Sequence, residues 1–201
     1  MPNRKLILLA IGLVLAATLI YSLTGGKKSS FSDTLRKERQ EKDEMFRTSA
    51  DSPFPDKKDF RALNYFDPDS TFEVYAKIRE TEGSKTFTVA MTGGQTETYT
   101  LYGEATFELK GKNCRLLVFH SPDKGALFIP FRDESNKTAS YGGGRYLDVE
   151  ESAITGGHVT IDFNRAYNPY CAYSPEYTCP VPPKENTLPL AVTAGEKRYH
   201  D

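Results

Sequence analysis

Residues 97–133 read ETYTLYGEATFELKGKNCRLLVFHSPDKGALFIPFRD, three runs of alternating apolar and polar residues separated by Lys110-Gly111-Lys112 and Asp123-Lys124-Gly125. Alternation turns one side of an extended chain inward and the other outward, and glycine in a short connection supplies the positive φ that tight hairpins demand. The stretch therefore predicts antiparallel strands in chain order. The same period of two occupies FEVYAKIRE (72–80), KTFTVAMT (85–92), RYLDVE (145–150) and HVTIDFN (158–164), with Glu82-Gly83 and Gly93-Gly94 as further hairpin turns. A meander of six or seven such strands curls or folds over to dispose of its edges. The expected fold is mainly β, an antiparallel meander closing into a barrel or a strongly coiled sheet.

Ahead of the strands, the run LILLAIGLVLAATLIYSL (6–23) carries no charge and would span roughly 27 Å as a helix. Arg4 and Lys5 precede it, Tyr21 sits where an interfacial aromatic belongs, and no A-x-A cleavage site follows. Residues 1–26 are thus expected to be an uncleaved signal anchor, a transmembrane helix that makes the membrane a partner and favours the exported side for the rest of the chain. Residues 27–52 read as a charged stalk helix through DTLRKERQEKDEMFR, capped by Ser30 or Ser32 and ended by Pro53 and Pro55. Its few apolar residues, Phe31, Leu35, Met45 and Phe46, predict that its C-terminal end docks and its middle does not. Residues 53–201 form the β-rich domain, whose tail carries prolines at 169, 175, 180, 182, 183 and 189 and reads as an extended loop.

A net charge of -1 and a pI near 6.3 supply no electrostatic footprint for a phosphate backbone, so nucleic acid is excluded as a partner. Neither G-x-S-x-G nor H-E-x-x-H occurs. The glycine-rich run Tyr141–Asp148 precedes a strand, not the helix that a phosphate-cradling loop requires. It suits a sharp barrel corner as well as a ligand loop. No cofactor and no metal is expected, because His120, His158 and His200 are scattered and the C-x7-C spacing of Cys171 and Cys179 is too wide for an ordinary zinc site. For an exported domain that pair reads as a disulfide, with two reduced, buried cysteines as the alternative.

Polar side chains crowd the exit of the last strand, DFNRAYNPYC (162–171), and such density means either a satisfied hydrogen-bond network or a site. Arg165 with Asp133, Asp148 or Asp162 is a plausible ion pair. Among Asp133, Asp148, Asp162 and Glu185, no spacing selects a catalytic pair.

FIPFRDESNKTASYGGGRYLDVE, followed by DFNRAYNPYCAYSPEYTCPVPPKENTLPLAVTAGEKRY, resembles the bacterial and archaeal family known as domain of unknown function 1684. The resemblance runs from about Arg36 to Tyr199, with Ser135 and Ser140 where the family pattern leads one to expect threonine. It implies a shared fold and a shared constellation of Asp133, Gly144, Arg145, Tyr146, Asp162, Asn164, Arg165, Asn168, Cys171, Cys179, Pro180, Glu185 and Asn186. It implies no activity.

The favoured reading is a binding module for a small polar or anionic ligand. Its candidate site is Asp133, Arg145, Tyr146, Asp162, Asn164, Arg165, Asn168 and Glu185, with Arg145 and Arg165 as fork donors. The alternatives are a hydrolase using Asp162 or Glu185 as base, and a structural envelope domain in which these residues only lock the C-terminal loop. The sequence assigns neither a substrate nor an oligomeric state.

Overall fold

The structure, a computed structural model, describes residues 30–121 and 126–200. The expected membrane-spanning segment 6–23 and the Asp123-Lys124-Gly125 turn lie outside these residues. Among the described residues no helix is long and apolar enough to cross a membrane.

Strands β1 (Glu73–Ala90), β2 (Thr96–Leu109), β3 (Lys112–His120), β4 (Ala126–Phe131), β5 (Arg145–Glu150) and β6 (His158–Asp162) form one antiparallel sheet in the order β5-β4-β3-β2-β1-β6. The first five make the expected meander, and β6 returns to pair with β1 from Glu73↔Asp162 to Lys77↔His158. The sheet is nearly closed. The Tyr146 N–H donates to the Tyr167 carbonyl at 2.9 Å and the Tyr167 N–H to that of Tyr146 at 3.0 Å, joining β5 to the chain just beyond β6. Leu109-Lys110-Gly111-Lys112 turns the β2–β3 hairpin with positive φ at Lys110 (50°) and Gly111 (76°), as a two-residue turn of the right twist requires.

Glu82-Gly83 does not turn a hairpin. The two runs it separates are one strand, β1, which pairs with β2 on both sides of an irregular excursion between Glu80 and Lys85. β2 accommodates this at Gly103, where a Cβ would lie 2.4 Å from the Arg79 carbonyl oxygen.

Inside the barrel, Val74, Ala76, Ile78, Ala105, Phe107, Leu116, Val118, Ile129, Leu147, Val159 and Ile161 form the main core. The tail joins them. Leu188, Leu190, Val192 and Ala194 are buried while the residues between them are exposed, so this part of the proline-rich loop follows a strand's alternation. It runs parallel to the end of β4: the Arg132 N–H donates to the Asn186 carbonyl at 2.8 Å and the Leu188 N–H to that of Arg132 at 2.8 Å.

Helix α1 (Phe31–Thr48) is capped by Ser30, whose Oγ accepts from the Asp33 N–H at 3.2 Å. Its C-terminal end docks as expected. Phe46 is buried among Phe54, Phe60, Tyr170 and Tyr173, with ring centroids 5.4–6.1 Å away. The middle docks too, contrary to the expectation, and does so through charge. Leu35, Glu38, Arg39, Lys42, Asp43 and Phe46 fall on one face at helical spacing. Arg39 donates to the Phe66 carbonyl at 2.9 Å, and Asp43 accepts from the Leu63 N–H at 3.1 Å.

Candidate functional site

Arg145, at the start of β5, points into the protein and is fully buried. Its guanidinium reaches Asp133 at 2.8 Å and the carbonyls of Val192 at 2.8 Å, Glu196 at 3.1 Å and Ala194. Asp133 in turn accepts from the N–H groups of Ser135 at 2.7 Å and Val192 at 3.0 Å. Burial pushes the Arg145 guanidinium below its ordinary pKa and the neighbouring Asp133 carboxylate pulls it back. The pair fastens the tail across the barrel, with no face open to a ligand. Arg145 is therefore not a fork donor for a ligand: Nη1 and Nη2 go to Asp133 and to the protein's own carbonyls, and Nε is buried with no hydrogen-bond partner among the described residues.

At the exit of β6, Asp162 caps the short turn Phe163–Arg165 by accepting from the Asn164 N–H at 3.0 Å. The Asn164 carboxamide accepts from the Asp69 N–H at 2.9 Å and donates to its carbonyl at 2.8 Å, tying this exit to the approach to β1. Arg165 reaches Asp162 at 2.9 Å and forks onto both oxygens of Glu38 at 2.9 Å, and the Glu38 bonds raise its pKa. Of the three partners expected for Arg165, Asp162 is used. Asp133 belongs to Arg145, and Asp148 accepts from the Tyr167 hydroxyl at 2.6 Å.

Asn168, also buried, donates its N–H to Glu196 at 3.0 Å and its carboxamide to the Lys197 carbonyl at 2.8 Å. Glu196 was not singled out by sequence, yet it is 1% exposed and gathers Lys42, the Tyr173 hydroxyl and the Asn168 N–H. The signal was there: it continues the inward parity of Leu188, Leu190, Val192 and Ala194, a carboxylate in a row of core positions. Asn186 is another built-in tie. Among the described residues β3 and β4 pair at Phe119↔Phe128 and His120↔Leu127 and no further along β4. Where they part, the Asn186 side chain stands in for a peptide group. It accepts from the Leu117 N–H at 2.7 Å and donates to the carbonyls of Leu117 at 2.9 Å and Pro130 at 2.7 Å.

Glu185 stands apart from Asp162, lining an open groove with Thr106, Asn113, Cys114, Arg115 and Lys184. Asp162 and Glu185 thus do not share a pocket. Gly144 has φ 100°, and a Cβ there would meet the Phe131 carbonyl oxygen and Pro182 at 2.7 Å, so the glycine loop is a close-approach corner. Among the described residues no group of three or more His, Cys, Asp or Glu is placed to hold a metal ion.

Tyr146 faces the other way. It lines a cleft of about 600 Å³ with Tyr99, Phe128, Tyr167, Tyr170, Tyr177, Pro169 and Pro180. The exposed carboxylates of Asp148 and Glu150 stand at this cleft, and among the described residues no Lys, Arg or His lines it. The rings are held at fixed angles: Tyr146 meets Phe128 edge-on at 4.8 Å and Tyr167 at 5.8 Å, and its hydroxyl donates to the Pro180 carbonyl. Cys179 lies in the wall of the cleft. Cys171 and Cys179 are free thiols, with the Cys171 N–H on the Cys179 sulfur at 3.3 Å, and the Tyr141 hydroxyl is 3.8 Å from the Cys171 sulfur.

No curated protein matches the chain. An uncharacterized protein of Haloarcula marismortui, solved by solution NMR, is 38% identical, with a TM-score of 0.65 over 82% of this chain and 92% of that one. The family described as a protein of unknown function, DUF1684, matches residues 58–197. That span takes in the buried Asp133–Arg145 pair, the exit of β6, both cysteines of the tail and Glu196, and the chain belongs to this family.

Proposed function

We propose that this protein is a binding module whose ligand enters the tyrosine-lined cleft, and that the ligand is a small organic cation, an amine or a quaternary ammonium group carrying an apolar body. One observation carries the reading: aromatic side chains and two carboxylates line one cleft, and no basic side chain lines it among the described residues. Ring faces attract cations by about 0.5–2 kcal/mol each, and carboxylates at the rim add to the field. Arg145 and Arg165 do not favour an anionic ligand, because both guanidiniums are already paired with carboxylates. The membrane anchor at residues 6–23, with the domain on the exported side, is part of this proposal and would expose the cleft to solutes outside the cytoplasm.

The chain contains no tryptophan, and five of its twelve tyrosines line the cleft, so tyrosine emission responds to a ligand there. Titration of the full chain in detergent with benzyltrimethylammonium should change that emission saturably, and benzoate should not. The paired change Asp148→Asn and Glu150→Gln should weaken binding on the order of tenfold or more. Equal response to the cation and to benzoate, or no saturation with either, would overturn the proposal.

A further inference from the structure

The tail loop that walls the cleft brings two cysteines side by side, the backbone of one on the sulfur of the other, and their surroundings differ. Cys171 is partly exposed, whereas Cys179 is buried. The Cys171 N–H donates to the Cys179 sulfur at 3.3 Å. Cys179 is fastened to the β1–β2 turn: its N–H donates to the Thr92 hydroxyl at 3.0 Å, and its carbonyl accepts from the Thr92 N–H at 2.9 Å. Cys171 is therefore partly open to solvent while its backbone holds it beside a fixed partner sulfur. We infer that Cys171 and Cys179 form a reactive dithiol that exchanges with small-molecule disulfides, Cys171 attacking and Cys179 resolving. This reading goes beyond the ligand proposal and does not depend on it.

The chemistry balances without any further reagent. The Cys171 thiolate attacks one sulfur of the small disulfide, forming a mixed disulfide and expelling one thiolate, which takes a proton from water. Cys179 then loses its proton and attacks the Cys171 sulfur. The Cys171–Cys179 bond forms, the second thiolate leaves, and two electrons have passed from the protein to the small disulfide. The disulfide expected from the sequence is thus one of two interconverting forms.

The environment favours this division of labour. A hydrogen bond from Cys179 brings the Cys171 thiol down to about 6, against the opposing effect of burial, with further hydrogen bonds from Tyr141 and Thr92. The same contact and burial push Cys179 up. The titratable groups facing Cys171 are Cys179, Tyr141 and Tyr146, all acids in their neutral forms near neutral pH. Cys114, in β3, is the internal control: it is buried, its sulfur contacts the Lys112 carbonyl, and burial pushes its thiol up.

The test is reaction of the reduced full chain with glutathione disulfide, quenched at intervals and mapped by mass spectrometry. Wild type should yield a Cys171–Cys179 disulfide, and Cys179→Ser should stall with glutathione on Cys171. Both reactions should run on the order of tenfold or more faster than at Cys114. Iodoacetamide labelling of Cys171 in the wild type, which needs no variant to fold, should reach half its maximal rate near pH 6. Labelling no faster than at Cys114, glutathione accumulating on Cys179 in Cys171→Ser, or a Cys171–Cys179 bond that glutathione cannot reduce would each overturn the inference.

Discussion

Arg145 and Asp133 face each other at 2.8 Å with neither side chain exposed, and between them they hold the tail against the sheet. A buried ion pair stabilises little relative to an apolar replacement, but breaking it strands a charge. Arg145→Met should therefore cost about 3–5 kcal/mol in urea unfolding, and Asp133→Leu a similar amount. The double variant should be less destabilised than the sum of the two. Strict additivity would show that the pair does not act as a unit.

Asn186 predicts a second sensitive position. Replacement by leucine leaves the Leu117 N–H and carbonyl and the Pro130 carbonyl without their partner in the gap between β3 and β4. The expected loss is about 2–4 kcal/mol in the same assay. Hydrogen exchange at the Leu117 amide should accelerate more than at Phe119, which keeps its place in the ladder. Unchanged exchange at Leu117 would contradict the peptide-mimic role.

Gly144→Ala should also destabilise. A side chain at φ 100° is strained by about 1–3 kcal/mol, and the added Cβ would press on the Phe131 carbonyl oxygen and Pro182. Gly111→Ala, which lies at φ 76° with open space around it, should cost less. Thermal unfolding of the two variants side by side separates the clash from the backbone strain.

The tyrosines make stability fall at high pH. Burial pushes Tyr102 and Tyr141 up to about 12, and pushes Tyr146, Tyr167 and Tyr173 further, with Asp148 beside Tyr167 and Glu196 beside Tyr173 adding to the shift. In the unfolded chain these phenols ionise near their ordinary value of 10.0. The folded state keeps its protons longer, so their contribution is fully present below about pH 10 and is lost as pH rises through the folded values. Unfolding free energy measured from pH 8 to 12 should decline from about pH 10, while absorbance at the phenolate band lags in the native protein. Tyrosines that all titrate near pH 10 without unfolding would refute this.

Much of the sheet was legible because its strands alternate and its hairpins carry glycine: the β2–β3 turn and the strands flanking it follow from residues 97–120 alone. Glu82-Gly83 misled because a glycine at positive φ serves a bulge as well as a turn, and only the partner strand decides between them. The docking of α1 was half legible. Phe46 advertises an apolar contact, but Glu38, Lys42 and Asp43 look like solvated charge until Arg165, Glu196 and Leu63 are brought to them from far along the chain. The same applies to the candidate site. Composition marks Arg145, Asp162 and Asn164 as worth explaining and offers Asp162 to Arg165, but beyond the Asp133 and Arg165 side chains most of their partners are backbone carbonyls and amides that no side-chain pattern encodes. The cleft was missed because its rings come from strands and from the tail loop, and only the fold gathers them.

The central claim is that the polar constellation is architecture and the tyrosine cleft faces the ligand. Amide and aromatic NMR shifts of the full chain during titration with benzyltrimethylammonium test it most directly. The account predicts saturable changes at Tyr99, Tyr146, Tyr170 and Tyr177, with Asp133, Arg145 and Asp162 unmoved. Shifts centred on Arg145, Asp162 and Arg165, with the cleft silent, would contradict it.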